Sequence, residues 1–158
     1  MDSISDRIQE MGLTLPEVPR PVANYVPAVV HGDLCFTSGQ LPLVDGRLVA
    51  TGRVGDQLGW EEAKQAARVA ALNALSAAAA VAGGIDALAG VLRVTGYVQT
   101  APGFYREPQV IDGASELYRQ VFGDSGNHVR SAVGVASLPL NAPVEIACVF
   151  RLAAYRDA

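Results

Sequence analysis

The chain has 158 residues, of which half are apolar and 18% are charged, and its formal net charge is −4. One domain with a real core is the expectation for that length and composition, not a disordered chain. An acidic chain whose 12 Lys and Arg residues are scattered is a poor electrostatic partner for nucleic acid or anionic lipid, so neither is expected as a partner.

Residues 1–20 open with a short amphipathic stretch (Ile4, Ile8, Met11) that ends at Gly12, and Pro16, Pro19 and Pro21 then favour an extended lead-in. Tyr25–Val30 and Leu34–Thr37 are β-rich runs joined through Gly32-Asp33, which predicts a hairpin; Asp45-Gly46 marks a further turn. Gly59–Val81 is the clearest helix. Trp60, Ala63, Ala67, Ala70, Ala74, Ala78 and Val81 recur at helical spacing, Glu61 and Glu62 suit the first turn, and Gly83-Gly84 closes it. Val91–Thr100 alternates as a strand, and Ala101–Glu107 is a loop. Pro108 starts a second helix carrying Val110, Ile111, Ala114, Leu117, Tyr118 and Val121, which stops at Gly123. A polar loop, Asp124–His128, precedes two strands, Arg130–Ser137 and Val144–Ala154.

The order β-β-α-β-α-β-β, with short extra strands near 43–50, predicts an α+β two-layer sandwich: a mixed sheet with two helices on one face. The last two strands read as a hairpin closing near Pro139-Leu140. Parity sends Val144, Ile146, Cys148, Phe150 and Leu152 toward the helices. It places Arg130, Ala132, Gly134, Ala136 and Glu145 together on the other face, a surface of small residues suited to subunit packing. In that register Arg130 and Glu145 stand roughly 15 Å apart, too far for a direct ion pair.

Cys35 and Cys148 lie far apart in apolar runs and read as buried thiols acting as small hydrophobes. With two histidines and no Cys/His cluster, no metal site is expected. The first residues lack a basic region followed by an apolar stretch, and the longest apolar run is read as too short to span a bilayer, so a cytoplasmic protein is expected.

Several residues could carry chemistry. Arg130, opening a strand after a flexible loop, can grip a carboxylate through two parallel hydrogen bonds, although alone it reads as well as a surface ion pair. Glu145, at the start of the last strand, could orient or deprotonate water, or be a solvated charge. Tyr25 offers a phenol or an aromatic wall. Ser38-Gly39 places a hydroxyl and a glycine at a strand end. Phe104 and Tyr105 wall a pocket or anchor their loop, and His128 could titrate nearby. Ser131 has no His/Asp partner at recognisable spacing, and no Gly-rich phosphate loop occurs.

The combination is more specific than its parts. Thr37-Ser38-Gly39-Gln40-Leu41-Pro42, followed by Arg130-Ser131-x-Val133-x-Val135-Ala136-x-Leu138-Pro139 and Val144-Glu145-Ile146, resembles the RidA (YjgF) family over residues 22–153. The resemblance implies a chorismate-mutase-like fold over one domain, 1–158, with residues 1–21 as an N-terminal extension. It implies homotrimers with sites between subunits, no bound cofactor or metal, and hydrolysis of reactive enamines and imines to 2-keto acids and ammonia. Carried over by position, Arg130 would hold the substrate carboxylate and Glu145 would position water. Tyr25, reaching in from the adjoining subunit, Ser38, Gly39 and Ala132 would line the substrate cleft; Phe104 joins them as a pocket wall read from its own position in the loop. Ala132 stands where many active members carry cysteine, and the loop before His128 is longer than usual. A non-catalytic trimer that binds small carboxylates is the alternative reading.

Overall fold

The computed structural model describes residues 2–21 and 23–154. Ser3 caps the first helix, α1 (Ile4–Glu10): its hydroxyl accepts from the Asp6 N–H, and the Asp6 carboxylate accepts from the Ser3 N–H, at 3.1 and 3.0 Å. This reciprocal cap stabilises a helix too short to persist alone. The extension is docked on the body. Asp86 accepts from both Ser5 N–H and Ser5 Oγ, Arg7 donates to the Val121 carbonyl, and Ser76 Oγ donates to the Pro16 carbonyl.

Five strands form the main sheet: β1 (Ala28–His31), β2 (Leu34–Thr37), β5 (Leu88–Gln99), β6 (Val129–Val135) and β7 (Val144–Leu152), in the order β1-β2-β7-β5-β6. A separate two-stranded ribbon, β3 (Leu43–Val44) and β4 (Arg47–Leu48), turns through Asp45 and Gly46, both at positive φ. The β1–β2 hairpin forms as expected, although β1 begins at Ala28 and not at Tyr25.

The expected hairpin between the last two strands does not form. β6 runs parallel to β5 as the sheet edge, and β7 lies on the other side of β5, antiparallel to it. The connection crosses the end of β5 and is pinned there by the buried Gln99 side chain. Gln99 accepts from Leu138 N–H (2.7 Å) and donates to the Asn141 side chain (2.7 Å) and the Gly52 carbonyl (3.1 Å). Leu140 and Asn141 adopt positive φ to make this turn.

Two long helices, α2 (Trp60–Ala82) and α3 (Glu107–Phe122), cover one sheet face, so the α+β two-layer sandwich is as expected. α2 ends at Gly83 in the left-handed conformation, φ 95°. Its alanine stripe allows close approach: a Cβ on Gly113 of α3 would collide with the Lys64 carbonyl oxygen of α2. Gly96 in β5 leaves room for Ile111 in the same way. Val144, Ile146, Cys148 and Phe150 face the helices, as parity predicts. Contrary to the reading of the longest apolar run as short, α2 at 23 residues is long and apolar enough to cross a membrane. Most of it is instead buried inside the protein, as a core helix.

Cys35 and Cys148 are free and buried. The Cys148 Sγ lies 3.1 Å from the Tyr118 hydroxyl, and burial pushes its thiol up to about 12.

Candidate functional site

Glu145 opens β7 and sits opposite Tyr97 in β5, on the face away from the helices. A paired exchange between Gln40 and Ile146 (N–H to carbonyl, 2.7 and 2.9 Å) lays residues 38–40 beside this end of β7. Gly39 thereby becomes a floor for Glu145. A Cβ at position 39 would lie 2.5 Å from both Glu145 Cδ and Oε2, so only glycine fits under the carboxylate as placed.

Ser38 holds the opposite wall. Its hydroxyl donates to the Val26 carbonyl (2.6 Å) and its N–H to the Pro27 carbonyl (2.8 Å), fixing the segment that carries Tyr25. Tyr25, Gly39, Gln40, Pro139 and Glu145 line one cleft, of about 380 Å³ including space open to solvent. Among the described residues, no hydrogen bond or ion pair engages the Glu145 carboxylate, and burial raises its pKa. A carboxyl group in that position is suited to taking a proton from water and returning it.

Arg130 is elsewhere. Its partner in β5 is Val94, which faces the helices, so Arg130 and Glu145 lie on opposite faces of the sheet and not on the same one. Their rows are three residues apart with β5 between them, roughly 14 Å from backbone to backbone. The expectation of a shared face rested on a β6–β7 hairpin; the parallel pairing of β6 with β5 removes it. Ala132 and Gly134 turn toward the helix layer with Arg130. Val129, Ser131, Val133 and Val135 occupy the open face of β6 instead.

The Arg130 guanidinium is held by α3. It donates to Asp112 Oδ1 (2.7 Å), Ser115 Oγ (3.1 Å) and the Pro108 carbonyl (3.3 Å). Ser115 Oγ lies 2.8 Å from His128 Nε2, while His128 Nδ1 lies 2.6 Å from the Gly126 carbonyl. A carbonyl only accepts, so Nδ1 carries the proton and Nε2 accepts from the Ser115 hydroxyl. Burial, aided by the Arg130 and Arg119 charges and against the Gly126 bond, lowers the His128 pKa and keeps this neutral tautomer.

Phe104 is partly buried against Gly55 and the core, and it does not line the Glu145 cleft. Among the described residues, the charged lining residue other than Glu145 gave no signal in the motifs. Arg20 comes from the N-terminal extension; the flanking Pro19 and Pro21, which stiffen an extended backbone, were the available clue.

Residues 5–154 match the model of a family described as "YjgF/chorismate_mutase-like, putative endoribonuclease". The chain belongs to this YjgF family. Protein TCP17 of Trypanosoma cruzi is 37% identical over 150 residues, covering 94% of each chain. A YjgF-like fold is shared with an Agrobacterium tumefaciens protein of unknown function (40% identity, TM-score 0.84, 96% of this chain and 92% of that one). It is also shared with a Shewanella oneidensis protein titled a "putative endoribonuclease" (30% identity, TM-score 0.91, 96% of this chain and 100% of that one).

Proposed function

We propose that this YjgF-family chain hydrolyses reactive enamine or imine intermediates to 2-keto acids and ammonia, in the manner of a 2-iminobutanoate/2-iminopropanoate deaminase. The observation that carries the reading is Glu145: a half-buried carboxylate without a partner among the described residues, resting on Gly39 in an open cleft. Glu145 takes a proton from water as the oxygen attacks the imine carbon. The resulting carbinolamine collapses, the C–N bond breaks, and the proton leaves on ammonia. The reaction balances with water alone.

Arg130 holds the substrate carboxylate in this reading, with Ala132 beside it. Because Arg130 and Glu145 lie on opposite faces, a complete site needs two subunits, each giving one half; a homotrimer is the proposed assembly. A cytoplasmic location suits the labile substrates.

The Arg130–Asp112 ion pair favours a second reading, in which the assembly binds small carboxylates without turning them over. A coupled assay with a pyridoxal-phosphate dehydratase distinguishes the two. The deaminase reading expects wild type to hasten keto-acid release and Glu145→Gln to abolish the effect. Binding without acceleration supports the second reading.

A further inference from the structure

The Glu145 cleft is lined in part by a cationic residue that the family resemblance does not supply. Arg20 and Glu145 are its two charged lining residues among those described, and Arg20 comes from the N-terminal extension, outside the span of the motifs. The arm is not a loose tail. Ser76 Oγ holds the Pro16 carbonyl, α1 is tied to Asp86 and Val121, and Pro19 and Pro21 restrict the backbone on both sides of Arg20. No ion pair among the described residues engages Arg20. Among the described residues, no hydrogen bond or ion pair joins Arg20 to the Glu145 carboxylate.

In contrast, Asp112 offsets the Arg130 charge at 2.7 Å. The molecule therefore carries two arginines near its proposed site: Arg130, partly neutralised by Asp112 of α3, and Arg20, which lines the cleft and has no ion pair among the described residues. A substrate with a single carboxylate needs one of them.

We propose that Arg20 binds a second anionic group of the substrate, making the site selective for imines of dicarboxylic amino acids over those of simple alkyl amino acids. This rests on the imine reading for the reaction, but not for the binding. Arg20 can approach a carboxylate entering past Tyr25 while the reacting carbon lies near Glu145. A free guanidinium offers the two-pronged contact that a carboxylate accepts best.

The test has two arms. In the first, calorimetry compares 2-oxoglutarate with 2-oxobutanoate as ligands of the full chain. Wild type is expected to bind the dicarboxylate at least about tenfold more tightly, Arg20→Ala to lose that preference, and Arg20→Lys to keep part of it. In the second, imines are generated in place from D-aspartate and D-alanine by flavin-dependent oxidases. Arg20→Ala is expected to raise KM for the aspartate-derived imine about 10- to 100-fold, with kcat and the alanine-derived reaction little changed. If no imine is turned over but the 2-oxoglutarate preference exists and depends on Arg20, the deaminase reading fails and this inference stands. Equal affinity of wild type for the two keto acids, or a preference untouched by Arg20→Ala, overturns it.

Discussion

Gly39 and Glu145 share one space in the cleft: the carboxylate occupies the position that any side chain at residue 39 would need. Gly39→Ala must therefore displace Glu145 while leaving its chemistry intact. Its rate of keto-acid release is expected to fall about 10²-fold, as misplacement of a catalytic group by an ångström does, with a small change in Tm. Shortening the neighbouring side chain with Glu145→Asp should relieve the clash and recover part of the loss, because the two positions compete for one space. Additive losses in a steady-state assay would count against this relationship.

The pH dependence of stability carries the same signature. Burial raises the Glu145 pKa above its ordinary value of 4.5, so its contribution is fully present below about that value and is lost as pH rises through the folded-state pKa. Glu145→Gln removes that loss. At pH 7–8 the variant is expected to match or exceed wild type in Tm by up to a few °C, while being inactive. His128 acts in the opposite sense. Its folded pKa is lowered from 6.5, so its contribution holds above that value and is lost as pH falls through the folded pKa. Melting curves between pH 4 and 8 are expected to show a smaller acid-side decline below about pH 6.5 for His128→Gln than for wild type.

Asp112 already pairs with Arg130 at 2.7 Å, so a carboxylate bound by Arg130 is expected to compete with it. Asp112→Asn leaves an oxygen for the guanidinium but removes the charge, and calorimetry should show small carboxylates binding several-fold more tightly. Both side chains are partly exposed, so the stability cost is expected at about 0–1 kcal/mol. Weaker carboxylate binding in this variant would mean that Asp112 positions Arg130 and does not compete with the ligand.

The helix layer has its own critical glycine. Gly113 packs against the Lys64 backbone, which cannot move without shifting α2. Gly113→Ala is expected to cost about 2–4 kcal/mol and to lower Tm by roughly 5–15 °C. An unchanged Tm would show that α2 and α3 are not in close contact at Gly113.

Both long helices and the buried side of β7 were legible because their apolar spacing is local. Ala63, Ala67, Ala70, Ala74 and Ala78 mark one helix stripe, and Val144, Ile146, Cys148 and Phe150 mark one strand face. The partner of β6 was not legible. A short connection through Pro139 is compatible with a hairpin, and only the nonlocal bonds of Gln99 reveal that it crosses β5 instead. The face on which Arg130 lies follows from that pairing, so its error followed from the same source. The chain of bonds from Arg130 through Ser115 to His128 depends on how α3 packs beside β6, which no spacing encodes. Arg20 reaches the cleft because the proline-rich arm folds back, a placement that the motifs do not cover.

The central claim is a shared site in which Glu145 of one subunit acts beside Arg130 of another. Mixing inactive Glu145→Gln and Arg130→Ala chains, unfolded and refolded together, tests it most directly. Random assembly should recover about a quarter of wild-type imine hydrolysis, since each intact site needs one unaltered half from each type of chain. A mixture no more active than the separate variants, beside an active wild type, would contradict the claim.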